Sequence, residues 1–480
     1  MKPTAPLLPH VLRHVFLAMS LCALTSCAVG PNYQRPPQAM PTTYKSATSQ
    51  PAVAAPLTMR WWQLFGDPEL NSLEESTLNE NPTILAAMAR VEQARAAARV
   101  TKSQFYPTIT LDPSIERGRT PINTSVNNSG RTSVTSTEVL IPFDLTYQVD
   151  AWGRVRRAYE AARAQYQASQ DDFEVVMLTL QADVAQNYFA LRSLDAQDKI
   201  LASTVDAYRQ QLDLTQTQLK AGLVSPTDQA QALAVLHGAI ALEIEVRRMR
   251  ADTEHALAIL LGRSPSELTL PSDPLDLLPP VIPAGLPADL LRQRPDVAEA
   301  EQNLAAASAS IGVAKAELYP TISLTGDAGF ESFDVGHALD WEQRIWSVGA
   351  GASAPIFEGG RLQANLDQAR ARYQELAATY RNSVLGAIRD VEDSLTDMHL
   401  RADEASAEAE AVKASAEYLR LSNIQYHQGL VGYLQVIDAE RTLLANKLIA
   451  EQTHNLRMAS TVLLIKALGG GWEAPASQAK

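Results

Sequence analysis

The chain has 480 residues, 46% of them hydrophobic, and a formal net charge of −13, so it can bury several cores and is too acidic to suit a nucleic-acid partner. Its only cysteines are Cys22 and Cys27. Cys22 lies in a removable leader, so the mature chain has no intrachain disulfide.

The leader reads from its charges and its length. Lys2 and Arg13 are positive, and residues 11–24 are mostly apolar, a stretch shorter than the roughly 20 residues a spanning helix needs. It closes in Leu24-Thr25-Ser26-Cys27, which fits the box where lipoprotein precursors are cut and the cysteine acylated. Residues 1–26 are thus expected to be a lipoprotein signal and Cys27 the lipid-bearing residue. The alternative is an ordinary secretory leader with a stray cysteine. Ala28, rather than an aspartate, follows the cysteine and points to the outer membrane. Loss of Lys2 and Arg13 takes the net charge from −13 to −15. No later stretch is long and apolar enough for a spanning helix, so any spanning part must be made of strands.

Residues 27–60 read as an extended, lipid-anchored strap, rich in Pro, Ala, Thr and Ser from 34 to 56. Trp61, Trp62, Leu64, Phe65, Leu70 and Leu73 then mark the first packed segment, and Pro82 opens an Ala-rich helix over 83–104. At Tyr106-Pro107 the period becomes two. Ile109, Leu111, Pro113 and Ile115 alternate with Thr108, Thr110, Asp112, Ser114 and Glu116; after a polar loop over 118–132, Phe143, Leu145, Tyr147 and Val149 alternate with Asp144, Thr146, Gln148 and Asp150. This predicts a β-hairpin over about 106–150. Residues 154–221 contain neither Gly nor Pro, so a helix near 100 Å long is expected at about 1.5 Å per residue. It ends at Gly222-Leu223-Val224 and returns over 227–261.

The chain then repeats itself. Tyr106-Pro107-Thr108-Ile109 returns 213 positions later as Tyr319-Pro320-Thr321-Ile322, and Gly222-Leu223-Val224 returns 207 positions later as Gly429-Leu430-Val431. Only one segment differs in length between the copies, as a tolerant loop would. The organisation expected is repeat 1 over 61–263, with a helical hairpin over about 152–261; a Pro-rich linker over 264–288; repeat 2 over 289–469; and a flexible tail over 470–480. In repeat 2 the β-hairpin spans about 319–357, with Ile322, Leu324, Ala328 and Phe330 facing one way and Trp346, Val348, Ala350, Ala352, Ala354 and Ile356 continuing the pattern. The second helical hairpin spans about 360–468.

Alternating segments of this length suit a transmembrane β-barrel, and equally a half-buried soluble sheet. The helical hairpins shift the balance, because their apolar stripes are too thin to bury a core without neighbours. Four strands cannot close alone, since small barrels need about eight and eight leave no channel. Three copies would pool twelve strands around a wet lumen lined by Asp112, Glu116, Asp144, Asp150, Asp327 and Glu331. The expected fold is therefore a trimeric membrane β-barrel joined to an α-barrel of long periplasmic helical hairpins.

In these features the chain resembles the outer-membrane factor family, the TolC-like exit ducts of tripartite systems, in its lipoprotein branch serving RND-type pumps. The resemblance rests on Cys27-Ala28-Val29-Gly30-Pro31-Asn32-Tyr33, the segment from Trp61-Trp62 to Asp67-Pro68, Arg294-Pro295-Asp296-Val297 and the two Gly-Leu-Val turns. It implies an outer-membrane homotrimer that works with a periplasmic adaptor and an inner-membrane RND pump, and needs no cofactor beyond the covalent lipid. It implies further that Gly222, Leu223, Val224, Gly429, Leu430 and Val431 form the adaptor-docking tips, the alternative being ordinary hairpin packing. Asp438 stands where family members carry an acidic constriction ring that attracts cations; the alternative is a solvated carboxylate. Gln435 replaces an acid found there in some members. Asp228 and Tyr426 match a pair linking hairpins in the closed state, and Val431 replaces the arginine of that latch.

Other classes fit less well. No nucleophilic cysteine, phosphate-cradling loop or Gly-x-Ser-x-Gly elbow is present, and His237, His255, His337, His399, His427 and His454 are scattered, so neither an enzyme nor a metal site is expected. A lipid-anchored coiled-coil adaptor would explain the hairpins but not the strands. A duct for exported proteins remains the alternative within the channel class.

Overall fold

A computed structural model describes residues 28–46, 57–120, 134–274, 277–282 and 287–473. The expected signal, the expected acylation site at Cys27 and most of the tail lie outside them. The described residues form two compact units, and each draws on both repeats: the first takes residues up to 36, 92–168 and 301–379, the second 37–91, 169–300 and 380–480. Between them run the helices α1 (Pro68–Glu80), α2 (Pro82–Ser103), α3 (Arg154–Lys220), α4 (Pro226–Leu260), α5 (Pro295–Ala316), α6 (Arg361–His427) and α7 (Tyr433–Ala467), and the strands β1 (Thr108–Leu111), β2 (Ser114–Thr120), β3 (Val134–Val149), β4 (Thr321–Ser332) and β5 (Arg344–Ser353). The duplication holds to the residue: α3 and α6 each have 67 residues, α4 and α7 each 35.

The first unit is built on one antiparallel sheet in the order β1–β3–β4–β5, with β2 also paired to β3. β1 and β2 are one strand interrupted at Asp112–Pro113, where proline has no N–H for the ladder. Their registers agree: Thr108 faces Thr146 and Ser114 faces Leu140, the partner numbers adding to 254 both times. There are thus four strand positions in five pieces. Apolar residues form continuous rows across them, as in Leu111–Phe143–Ala328–Trp346 and Ile109–Leu145–Gly326–Val348. The opposite face carries the row Thr110–Asp144–Asp327–Ser347, in which the Ser347 hydroxyl donates to Asp327.

Two readings of the strands need correction. Asp150 does not belong to the polar face; its carboxylate accepts from the Val155 and Arg156 N–H groups at 2.9 and 3.1 Å and caps the first turn of α3. A free helix N-terminus attracts a carboxylate more strongly than water does. β5 stops at Ser353, so Ala354 and Ile356 lie beyond the ladder, and Ile356 is exposed.

The strap residues 28–36 are built into this unit. Val29 donates its N–H to Trp152 O at 3.0 Å, Arg157 reaches Asn32 Oδ1 at 2.7 Å, and Arg35 Nε donates to Glu301 Oε1 at 2.7 Å. The crossing is close because both chains present glycine. A Cβ on Gly30, at φ 103°, would lie 2.5 Å from Gly312 Cα.

The second unit has an aromatic core. Trp61 and Trp62 meet edge to face with centroids 6.0 Å apart, and Phe65 lies 4.9 Å from Phe189. Around it a buried ionic network ties down the Pro-rich linker. Arg192 pairs with Asp195 and Glu69 and donates to Pro271 O at 2.7 Å; Arg250 bonds Asp195 at 2.6 Å and Leu270 O at 2.8 Å. Two guanidinium groups sharing one buried carboxylate leave few charges unmatched. Arg294, the first residue of the Arg-Pro-Asp-Val motif, bonds Asp296 at 2.6 Å, Asp390 at 3.2 Å and the Ala467 carbonyl at 3.2 Å, so it ties α5 to α6 and the end of α7.

Gly30→Ala is expected to loosen the strap without unfolding the helices, since a side chain at this φ costs about 1–2 kcal/mol before the clash with Gly312 is counted. Chymotrypsin cleavage after Tyr33, in the same strap segment, should then quicken about tenfold, the equivalent of about 1.4 kcal/mol, with unchanged helical circular dichroism.

Candidate functional site at the helical hairpin tips

Each long helix ends by the same hydrogen-bond pattern. Gly222, at φ 74°, donates to Leu219 O at 2.9 Å while Leu223 N reaches back to Gln218 O at 2.9 Å. Gly429, at φ 73°, donates to Tyr426 O, and Leu430 N to Gln425 O, both at 2.9 Å. A left-handed residue followed by a bond five residues back is the Schellman ending, which glycine adopts without strain. The turn leaves Leu223 75% and Leu430 70% exposed. Val224 and Val431 differ from expectation: both are half-buried, so each tip presents one open leucine rather than an apolar pair.

The two copies diverge just past the turn. In the first, Ser225 and Asp228 form a capping box, with Ser225 N donating to Asp228 Oδ2 at 2.8 Å and Pro226 at the first helical position. In the second, Gly432 caps α7 without a side chain, and Gln435 stands 207 residues after Asp228. Gln435 instead donates to the Tyr418 hydroxyl at 2.9 Å, which donates to Asp438 Oδ2 at 3.1 Å. Tyr418 is raised from its ordinary pKa, by desolvation first and then by that bond. Asp438 stays exposed on the α7 face shared with Gln435 three residues earlier.

Asp228 and Tyr426 are not bonded to each other within one chain. Asp228 serves the capping box, and the Tyr426 hydroxyl donates to Gln218 Oε1 at 3.2 Å. Both lie near the tip, where the Asp228 charge adds to desolvation in raising Tyr426.

Behind these residues the four long helices share one core. Val205, Tyr208 and Leu212 of α3, Leu236 of α4, and Val436 and Ile437 of α7 pack together, with Leu419 and Tyr426 of α6 against them. Glu440 enters this core two residues after Asp438. Its Oε2 is buried without a hydrogen-bond partner, as is the Tyr208 hydroxyl. Burial pushes the Glu440 carboxyl up to about 7 and, with the Glu440 charge second, Tyr208 to about 12. The sequence reading missed Tyr418, Gln218, Tyr208 and Glu440. Tyr418 was findable: it and Asp438 are equidistant from Gln428, so folding the hairpin about its turn brings them together.

Among the described residues no helix is long and apolar enough to cross a membrane, and no cluster of three His, Cys, Asp or Glu could hold a metal. A family model described as "Outer membrane efflux protein" matches twice, over residues 73–263 and 286–470. The chain is 34% identical over 462 residues to the solvent efflux pump outer membrane protein SrpC of Pseudomonas putida, covering 94% of this chain and 97% of that one. It is 31% identical over 456 residues to the cation efflux system protein CusC of Escherichia coli, with 94% and 97% covered. Among solved structures, the outer-membrane channel OprN superposes with a TM-score of 0.87 at 30% identity, over 93% of this chain and 100% of that one. The open state of the Neisseria gonorrhoeae MtrE outer membrane channel gives 0.82 at 28%, over 94% and 100%.

The buried carboxyl has a consequence for stability. Glu440 ionises near its ordinary 4.5 when unfolded and near 7 when folded, so the folded state holds the extra proton between these values. Burial then costs stability increasingly as pH rises through that window, and fully above it. Glu440→Gln should therefore stabilise the fold at about pH 8 by on the order of 1–3 kcal/mol, seen as a higher thermal midpoint, and the gain should fade towards about pH 5. A pH series of melts in detergent checks both ends.

Proposed function

This chain belongs to the outer membrane efflux protein family, and on that footing we propose that it is the outer-membrane exit duct of a tripartite efflux pump. The observation that carries the reading is the sheet: four strand positions, one apolar and one polar face, and an unpaired edge on β1/β2 and on β5. In hydrocarbon each unsatisfied backbone group costs several kcal/mol, so such a sheet must find partners for both edges. Three copies would pool twelve strands, with the apolar rows towards lipid and the Asp144–Asp327 row towards a water-filled lumen. A homotrimer closes with one repeated contact, the edge of β5 against β1/β2 of the next copy.

The helical hairpins would serve the periplasmic end. Leu223 and Leu430 are solvent-exposed apolar side chains on tight turns, suited to docking an adaptor that couples the duct to an inner-membrane RND pump. Asp438 would line the narrow mouth, with Gln435 beside it, and Asp228 and Tyr426 would make their contact between hairpins rather than within one chain. Cys27 would carry the lipid that holds the strap at the membrane.

Conduction in this reading is passive. The relatives are named for solvents in one case and cations in another, on nearly the full length of this chain. One scaffold under such different cargo supports a duct whose pump chooses the substrate.

Planar-bilayer recording tests the duct and its mouth together. The purified protein is expected to form channels, and Asp438→Ala to raise single-channel conductance about twofold while reducing cation preference, because removing a ring of like charges widens the mouth and weakens its attraction for cations. An unchanged current would remove Asp438 from the mouth, and absence of any channel would overturn the duct itself.

A further inference from the structure

The charged residues of the strands sort by face without exception. The register puts Glu116 opposite Glu138, Asp144 opposite Asp327, and Glu331 opposite Leu140, all five acids on the polar face. Arg117, Arg119 and Arg344 fall on the other face: Arg117 pairs with Thr137 and Arg119 with Thr135, two and four residues along β2 from Ile115, and Arg344 pairs with Phe330, two residues before Trp346. A strand end that merely meets water would accept either sign on either face. Here a chain with a net charge of −13 places only cations on the apolar side of its described strands.

All three arginines lie towards the hairpin ends of the strands, away from the helices: Arg117 and Arg119 past the last apolar pair, Ile115–Val139, and Arg344 at the edge of the row that holds Phe330 and Ile141. They are exposed. Arg344 is held in place, its guanidinium 4.6 Å above the Trp341 ring and its Nη1 donating to Trp341 O at 2.7 Å. Trp341 and Trp346 are 68% and 75% exposed, as befits indoles at a boundary between hydrocarbon and head groups. In the adjoining loop Asp334 accepts from Gly336 N at 2.9 Å and Asp340 from the His337 ring at 2.7 Å.

From this juxtaposition, and resting on the duct reading that puts the apolar rows against lipid, we infer that Arg117, Arg119 and Arg344 form a binding belt for the phosphate groups of anionic lipid in the outer leaflet. Two features of the belt match that occupant. It extends the lipid-facing surface at the hairpin ends of the strands, the level at which head-group phosphates lie. All three cations are arginine, whose planar fork grips a phosphate through two parallel N–H bonds where lysine offers a point charge. The acids on the inner face repel the same lipids from the lumen.

The test uses the full-length assembled protein reconstituted in nanodiscs. Retention of bisphosphorylated lipid A, in competition with phosphatidylcholine, is followed by native mass spectrometry. The native protein should prefer the phosphorylated lipid, and each Arg→Gln change should weaken that preference about fivefold, the equivalent of about 1 kcal/mol for a basic side chain at an anionic membrane surface. Arg117→Lys and Arg119→Lys should fall between the native protein and the Gln variants, since lysine keeps the charge and loses the paired N–H bonds. Glu116→Gln with Glu138→Gln, on the inner face, should leave the preference intact. An equal preference in the triple Arg→Gln variant overturns the belt, as does displacement of the lipid by millimolar inorganic phosphate, which would make the ligand a free anion. Conductance recorded on the same samples separates the two readings: channels without lipid preference sink the belt alone, and no channels sink the duct and the belt with it.

Discussion

An antiparallel sheet of four strand positions has two edges, and a membrane gives an edge nowhere to go. Water can satisfy the spare N–H and C=O groups of β1/β2 and β5 in solution, but hydrocarbon cannot. This constraint orders most of what the chain does. It requires copies to share their sheets, it requires one face to be apolar along its length, and it leaves the polar groups only the enclosed side. The row Asp144–Asp327 sets like charges opposite one another across a strand pair, an arrangement that is unfavourable on a dry surface. In a water-filled lumen the same two carboxylates are hydrated, and the Ser347 hydroxyl supports one of them.

The helical hairpins face the opposite problem, since they are wet but too poor in large apolar residues to hold together by a broad core. Small residues take over: Ala232, Ala239 and Ala439 are buried and let the helices approach closely. Where the four long helices converge near the tips, aromatic and branched side chains concentrate the packing into one cluster. Glu440 is an odd member of it. A carboxyl in that position destabilises the packed state when ionised, and its neighbours Tyr208 and Tyr433 offer phenols rather than a cation. The cluster is therefore less than maximally stable by composition.

The duplication was legible because glycine and proline mark it at matching places: Pro107 and Pro320 before the strands, Gly222 and Gly429 at the turns. Strand alternation was legible for the same reason it exists, that one face meets an apolar medium. What escaped reading required pairing information. Arg117 and Arg119 look like ordinary loop charges until the register places them beside Ile115, and Arg344 lies two residues before the segment that the alternation picked out. Asp150 alternates correctly with Val149 yet turns to cap α3, because a helix start four residues on competes for its carboxylate. Periodicity could not separate the half-buried Val224 and Val431 from the open leucines before them, since neighbours in a turn share hydropathy but not direction. Glu440 reads as a surface acid from its charged sequence surroundings, and only the convergence of the helices buries it.

The two copies keep the same lengths while their tips have parted chemically. α4 begins with Ser225, Pro226 and Asp228, a start fixed by a reciprocal pair of side-chain bonds; α7 begins at Gly432 with none. Glycine in place of a serine cap costs about a few tenths of a kcal/mol, so the second hairpin has a slightly weaker first turn. The residue that replaces the capping acid, Gln435, points instead to Tyr418 and through it to Asp438. Duplication supplied two equal scaffolds, and divergence spent the cap of one to free a side chain for the exposed carboxylate. The capping box and Asp438 consequently belong to different hairpins.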